Sequence, residues 1–222
     1  MRKLQFYILA LLLLFFPILI EGQNSVNVDI YPERTITLNY EKFNLNTFSS
    51  KFAQSGSLDY TYTEADGTQI RVTCQRIGEP IEVYEIPPSP AVHRLYKEFY
   101  PDGNMKQKGL YLPQQFPIGK WLECDRNGRC RVVDQDMERG SVNYNDMLKI
   151  LERYNFLNGP DNWQVFVVWY NDIAHQWGAK LRKGTEYKTL TIDANSGKVS
   201  NEFGYEISMP NIEIDREYFQ SE

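Results

Sequence analysis

Histidine is nearly missing from this chain: His93 and His175 are the only two in 222 residues. Neither stands in a His-x-x-x-His spacing and no Cys-x-x-Cys is present, so a zinc centre would have to be completed by carboxylates. Cysteine is sparse too, with Cys74, Cys124 and Cys130 alone. No Gly-x-Ser-x-Gly elbow occurs, and the serines cluster with Asn and Gly in turn-like contexts. Asp193-x-Asn195-x-Gly197 opens like a calcium loop, but Lys198 follows and no bidentate Glu stands at the required distance, so it reads as a turn. The carboxylate pairs Asp134 with Asp136 and Glu213 with Asp215 lie in polar runs with no apolar neighbours to raise a pKa, which makes them solvated surface. Positive charge is not in excess: 24 Lys and Arg face 29 Asp and Glu, a net of -5. That balance excludes a role that rests on gripping nucleic acid phosphates. No metal, cofactor or nucleic acid partner is expected.

A long hydrophobic run occurs once, at the N-terminus. Arg2 and Lys3 precede an apolar segment from Phe6 to Ile20, broken by Pro17, before Glu21, Gly22 and Gln23 restore polarity. This is the outline of a signal peptide over residues 1–22. Cleavage before Gln23 puts Ile20 and Gly22 at the -3 and -1 sites and leaves 200 residues, with 22 basic against 28 acidic side chains. The expected location is secreted or periplasmic, with no stable membrane insertion after cleavage. The alternative is an uncleaved anchor, for which the 17 residues from Leu4 to Ile20 sit at the short limit of a bilayer span.

Aromatic residues are abundant, at 14% with 15 tyrosines, which supplies a strand-rich core. Residues 26 to 40 alternate around Pro32-Glu33-Arg34 and predict a pair of strands. Three hairpins follow one rule, a three-residue loop closed by Gly67, Gly103 or Gly128 in the left-handed region. Around Asp66-Gly67 the loop pairs Tyr62 with Ile70, Tyr60 with Val72 and Leu58 with Cys74, which gathers the apolar residues on one face. Around Asp102-Gly103 it pairs Phe99 with Met105 and Glu98 with Lys106. Around Asn127-Gly128 it pairs Leu122 with Val132, Glu123 with Arg131, and Cys124 with Cys130 at a non-hydrogen-bonded position where side chains approach closely. A Cys124–Cys130 disulfide is expected in an exported chain, with Cys74 left as a buried small hydrophobe; three reduced thiols are the alternative.

The run Tyr96-Lys-Glu-Phe-Tyr-Pro-Asp-Gly-Asn-Met-Lys-Gln-Lys-Gly-Leu-Tyr111, followed by Gly119-Lys-Trp-Leu-Glu-Cys-Asp-Arg-Asn-Gly128, resembles two consecutive units of the MORN-repeat variant family. The resemblance covers residues 95–133. In that family an aromatic strand, an Asn/Asp-Gly turn, a return strand and a Gly-x-Trp opening recur. Gly103 and Gly128 are 25 residues apart, longer than a tight repeat. What the resemblance implies is a binding or scaffolding surface of the kind found in exported bacterial proteins described as antitoxin-like. The contact residues expected on it are Tyr96, Phe99, Tyr100, Tyr111 and Trp121, since Tyr and Trp give large, rigid contact area. The opposing expectation is that half of these rings fill the core.

From residue 135 on the pattern changes. Asn143 can cap a helix to Leu157, in which Tyr144, Met147, Leu148, Leu151 and Tyr154 recur at helical spacing and which Asn158-Gly159-Pro160 stops. Trp163 to Tyr170 reads as a central strand covered on both faces, Asn171 to Gly184 as a long polar loop holding Trp177, and Glu186 to Asp193 as a further strand. The stretch from Tyr187 to Val199 resembles the C-terminal hairpin of PepSY-type domains, with Asp193 accepting backbone N–H groups and Gly197 at positive φ. That resemblance, over residues 141–207, implies a domain that lies against a partner protein. The fold class predicted is α+β: an antiparallel meander of hairpins over 23–134, then a helix-plus-antiparallel-sheet unit over 135–222. The function expected is an exported, non-catalytic protein-binding module, antitoxin- or immunity-like or inhibitory toward a secreted partner. The alternative is a hydrolytic enzyme with its site in the 171–184 loop, around His175 and Trp177.

Overall fold

The computed structural model describes residues 25–32, 34–88, 91–156 and 163–206. The leader over 1–22 and the Asn158-Gly159-Pro160 stop lie outside the described residues.

Strand β1 (Ser25–Ile30) pairs antiparallel with β2 (Arg34–Asn39), with Val26 opposite Leu38 and Val28 opposite Ile36, as a separate two-stranded sheet. Helix α1 (Leu45–Ser55) follows. Seven strands then form one antiparallel meander, each paired with its neighbours in sequence: β3 (Tyr60–Thr63), β4 (Gln69–Thr73), β5 (Ile81–Ile86), β6 (Arg94–Phe99), β7 (Met105–Leu112), β8 (Phe116–Cys124) and β9 (Cys130–Asp134). After helix α2 (Tyr144–Glu152) come β10 (Gln164–Asn171), β11 (Gln176–Lys183), β12 (Glu186–Asp193) and β13 (Val199–Glu206), a four-stranded antiparallel sheet. The chain is α+β, dominated by antiparallel hairpins.

The registers follow the apolar parity of the sequence. Tyr60 faces Val72 and Tyr62 faces Ile70. Cys124 faces Cys130, Glu123 faces Arg131 and Leu122 faces Val132. Gly67, Gly103 and Gly128 all take positive φ, at 88°, 82° and 79°, the left-handed position that closes a three-residue loop. The middle hairpin departs from expectation after its first pair. Phe99 faces Met105, but a bulge then sets Glu98 opposite Gln107 rather than Lys106. The extra residue lets one carboxylate take two partners, Lys106 Nζ at 2.7 Å and Gln107 Nε2 at 2.5 Å, which satisfies a Glu98 that is 7% exposed.

Five features depart from what the sequence predicts. Helix α1 was not anticipated; Asn44 starts it by accepting the Thr47 N–H at 3.1 Å, and Phe48 packs on Phe43 with ring centroids 5.8 Å apart. Strand β5 was also missed, although Ile81 and Val83 alternate inward. Residues 171–184 are mostly strand β11, with Trp177, Ala179 and Leu181 fully buried. Inserting β11 makes β10 an edge strand paired, among the described residues, with β11 alone, not a central strand. Helix α2 begins as read, with Asn143 Oδ1 accepting from the Asn145 and Asp146 N–H groups at 2.9 and 3.1 Å, but stops at Glu152.

One hydrophobic cluster joins every part: Val28 and Leu38 from the first pair, Leu110, Ile118 and Leu122 from the meander, Met147, Leu148 and Leu151 from α2, and Trp177, Leu190 and Ile192 from the last sheet. Polar contacts tie the seams. The Tyr31 N–H donates to Asn145 Oδ1 at 2.8 Å, and Asn145 Nδ2 donates to the Asp29 carbonyl at 3.1 Å. Arg139 bonds Asp136 at 2.6 Å and the Pro117 carbonyl at 2.9 Å.

Cys124 and Cys130 form a disulfide across the third hairpin, and Cys74 is a buried free thiol whose Sγ donates to the Arg76 carbonyl at 2.9 Å. Thiol titration of denatured, unreduced protein is therefore expected to count one thiol, and three after reduction. Because the bridge closes a short ring, six residues apart, replacing both partners by Ser should cost only about 2 kcal/mol or less. Three thiols before reduction would remove the bridge.

Candidate interaction surface

In β6, Leu95, Lys97 and Phe99 face the core and Arg94, Tyr96 and Glu98 the opposite side, because side chains alternate along a strand. The pairing Tyr84 with Tyr96, Tyr96 with Gly109 and Arg94 with Tyr111 carries that outer face across β5, β6 and β7. The result is a row of rings. Tyr96 lies 5.1 Å from Tyr84, 5.3 Å from Tyr111 and 6.0 Å from Trp121, and Tyr111 meets Trp121 edge-on at 4.9 Å, separations at which aromatic pairs attract. Trp121 lies over Gly109, and its Nε1–H donates to the Ile118 carbonyl at 3.1 Å. Tyr84 and Tyr96 donate their hydroxyls to the two oxygens of Glu82 at 3.2 and 3.1 Å.

Burial, reinforced by Glu82, raises the Tyr84 hydroxyl well above its ordinary pKa; burial and then Glu98 and Glu82 do the same for Tyr96. Burial likewise raises Tyr111. These phenols stay protonated donors and cannot serve as bases near neutrality.

The structure brings together three of the five residues expected to contact a partner: Tyr96, Tyr111 and Trp121. Tyr96 is 5% and Trp121 3% exposed, so they support the surface while half-buried Tyr84 and Tyr111 present it. Phe99 stands three positions from Tyr96, on the opposite face, 2% exposed and 5.2 Å from the Phe43 ring. It belongs to the core. Tyr100 leaves the strand at the turn, where its hydroxyl donates to the Cys124 carbonyl at 3.2 Å and the Arg126 guanidinium sits 5.1 Å from its ring. It staples two neighbouring turns. Tyr84 was missed with the whole of β5. Its alternation within Ile81-Glu-Val-Tyr-Glu-Ile was the available signal.

On the core side a cavity of about 300 Å³ lies between α1 and the sheet, lined by Phe43, Tyr60, Tyr62, Val83, Glu85 and Lys97 among others. Its polar end is an ion-pair cluster: Lys97 Nζ meets Glu41 at 2.8 Å and also pairs with Glu85, while Lys108 Nζ lies 3.5 Å from Glu41. Burial pulls the Lys97 ammonium down, but Glu85 and Glu41 outweigh it and hold its pKa above the ordinary value. Burial lowers Lys108, with Glu41 opposing and Lys97 adding to the effect. Two lysines against two carboxylates neutralise one another, which fits ions paired where the sheet is drier. Among the described residues, no three of His, Cys, Asp and Glu are grouped to hold a metal ion.

His175 and Trp177, the nucleus of the hydrolytic alternative, are not brought together. His175 is exposed at a hairpin tip with φ of 49°, its Nδ1 3.4 Å from the Tyr170 hydroxyl, whereas Trp177 is fully buried. The other histidine, His93, is 7% exposed, and burial, helped by Arg34, pushes its pKa down to about 4 from 6.5. The unfolded chain then binds a proton that the folded chain refuses, so this site's stability is lost as pH falls from about 6.5 toward 4, by up to about 3 kcal/mol. Asp136, expected from its polar neighbours to be solvated, is instead 10% exposed at its side chain and works the other way: burial outweighs Arg139 and the Gly119 N–H and pushes it up to about 6, so its contribution is present below the unfolded pKa and fades as pH rises through about 6. Denaturation midpoints of the parent and His93→Gln compared at neutral and acid pH should show a smaller acid loss in the variant; an unchanged acid loss would refute the assignment.

Compared with known protein families, curated proteins and solved structures, the chain matches none of them.

Proposed function

We propose that this chain is an exported, non-catalytic module that binds another protein, in the manner of antitoxin, immunity or inhibitory proteins. The observation that carries the reading is the ring row on the outer face of β5 to β8, where Tyr84 and Tyr111 are presented on the buried base of Tyr96 and Trp121. Rigid tyrosines on a packed base lose little entropy on contact and suit a protein interface. The apolar run after Arg2 and Lys3 supports export, the Cys124–Cys130 bridge is compatible with an oxidising compartment, and the resemblance of residues 95–133 to MORN-repeat variants supports a binding surface.

The test is capture from the compartment in which the chain itself is found, using purified parent protein and a Tyr84→Ala/Tyr111→Ala variant. A partner held by the parent and lost by the variant, at nearly equal melting temperature, is the expected result. No specific partner for the parent would overturn the reading. Mass spectrometry of the mature chain should begin at Gln23; a chain that still starts at Met1 in membranes would replace secretion with anchoring.

A further inference from the structure

The cavity between α1 and the meander lies on the inner side of the sheet, away from the ring row of Tyr84 and Tyr111 on its outer side. Its volume of about 300 Å³ is at the small end for a ligand pocket, which suits one ring rather than a chain. The floor is apolar, with Ile70, Val72 and Val83 beside the Phe43 and Phe99 rings, whose centroids are 5.2 Å apart. At the β3 end the Lys51 ammonium of α1 stands over Tyr60 and Tyr62, 5.2 and 5.8 Å from their centroids, so those rings already engage a cation.

The other end is polar, and its ions alternate in a chain, Glu85 to Lys97 to Glu41 to Lys108. Two of each sign leave no net pull on a charged ligand, and a further charge of either sign would enter a half-dry site without a counter-ion. At the exposed rim Glu64 and Lys42 again supply one of each sign. What the ions leave over is hydrogen-bonding capacity. Glu85 pairs with Lys97 alone among the described residues, although a carboxylate offers about four lone-pair sites. The Glu85 and Glu41 side chains stay 27% and 33% accessible. Acceptors therefore alternate with ammonium donors along one wall. A hydroxyl donates and accepts through a single oxygen, so it fits between a carboxylate and an ammonium, and neighbouring hydroxyls on one ring fit successive pairs. A wholly apolar ligand would strip water from these groups and return no hydrogen bonds.

We infer that this cavity holds one uncharged sugar residue, its C–H face against Phe43, Phe99 and Val83 and its hydroxyls on Glu85, Lys97 and Glu41. Saturation-transfer NMR on the purified chain tests it, with glucose, galactose, mannose and N-acetylglucosamine as probes and phenethylamine and phenylacetate as charged rings of similar size. At least one sugar is expected to receive saturation, with an affinity that added salt leaves unchanged because the ligand carries no charge. Glu85→Ala should weaken that sugar at least about tenfold, the loss of hydrogen bonds to a charged group. Thr47→Trp, at an exposed position on the cavity wall, should abolish the signal; it leaves the ion pairs in place and carries the test if Glu85→Ala fails to fold. No transfer to any of the four sugars, transfer unchanged in Thr47→Trp, or tighter binding of either charged ring than of every sugar would each overturn the assignment. Because the two sites lie on opposite faces of the sheet, partner capture through Tyr84 and Tyr111 is independent of either result.

Discussion

Trp177→Ala is expected to lower the unfolding free energy by about 3–5 kcal/mol, the usual range for truncating a buried tryptophan, and a large share of the 5–15 kcal/mol that holds a typical domain together. The indole is fully buried and touches three separate stretches of chain. Its ring meets Phe116 at the start of β8 at 5.7 Å and Tyr170 of β10 at 5.2 Å. The Arg139 guanidinium sits 5.6 Å from it, and its Nε1–H donates to the Val142 carbonyl at 2.7 Å. Deleting it empties the seam between the meander and the last sheet and leaves the Val142 carbonyl without that donor. Trp177→Phe separates the two losses: it keeps most of the volume and removes the hydrogen bond, so it should cost about 1–3 kcal/mol. Urea denaturation of both variants measures the pair. A loss under about 1 kcal/mol for Trp177→Ala would show that the seam does not depend on this ring.

The same residue shows what the sequence made legible and what it hid. The hairpin registers could be read because a one-residue slip throws every apolar side chain to the wrong face, and the pairings Tyr60 with Val72 and Cys124 with Cys130 follow from parity alone. Strand β11 obeys the same parity, with Trp177, Ala179 and Leu181 inward, yet its outward Gln176, Gly178, Lys180 and Arg182 give the composition of a polar loop. Composition and alternation disagreed there, and alternation was the physical signal. The bulge at Glu98 was not readable, because it depends on which partners one buried carboxylate can reach. Helix α1 is rich in Asn, Thr and Ser, residues that favour caps and turns. Beyond its cap at Asn44, it is held by Phe43 against Phe99 of β6 at 5.2 Å and Phe48 against Tyr60 of β3 at 6.3 Å, contacts that exist only once the sheet is formed. The outer ring row is half legible: ring content points to Tyr96, Tyr111 and Trp121, whereas alternation along β6 turns Phe99 to the core, and Tyr84 stands on the short strand β5.

Gly109→Ala is expected to destabilise the chain severely and Gly178→Ala mildly, for one steric reason. At both positions the strand gives up a side chain so that a tryptophan can lie across the backbone, and an added Cβ would enter the indole of Trp121 at position 109 or of Trp169 at position 178, far inside van der Waals contact. Neither glycine has a positive φ, so the backbone accepts alanine and the whole cost is steric. Strand propensity predicts the opposite outcome, because Gly in a strand interior is the weaker residue. The two sites should nevertheless differ. Trp121 is 3% exposed and boxed in by Tyr96 and Tyr111, so it has nowhere to go, and overpacking costs of about 3 kcal/mol or more are expected. Trp169 is 36% exposed and can swing toward solvent, so Gly178→Ala should cost about 1–2 kcal/mol and redden the tryptophan emission as the indole leaves its glycine. The double variant Gly109→Ala/Trp121→Ala should recover little, since it removes the clash together with the ring that fills the outer face; Gly178→Ala/Trp169→Ala should return close to the parent. Equal costs at the two glycines, or a stabilisation at either, measured by chemical denaturation, would show that these rings do not rest on the strands as described.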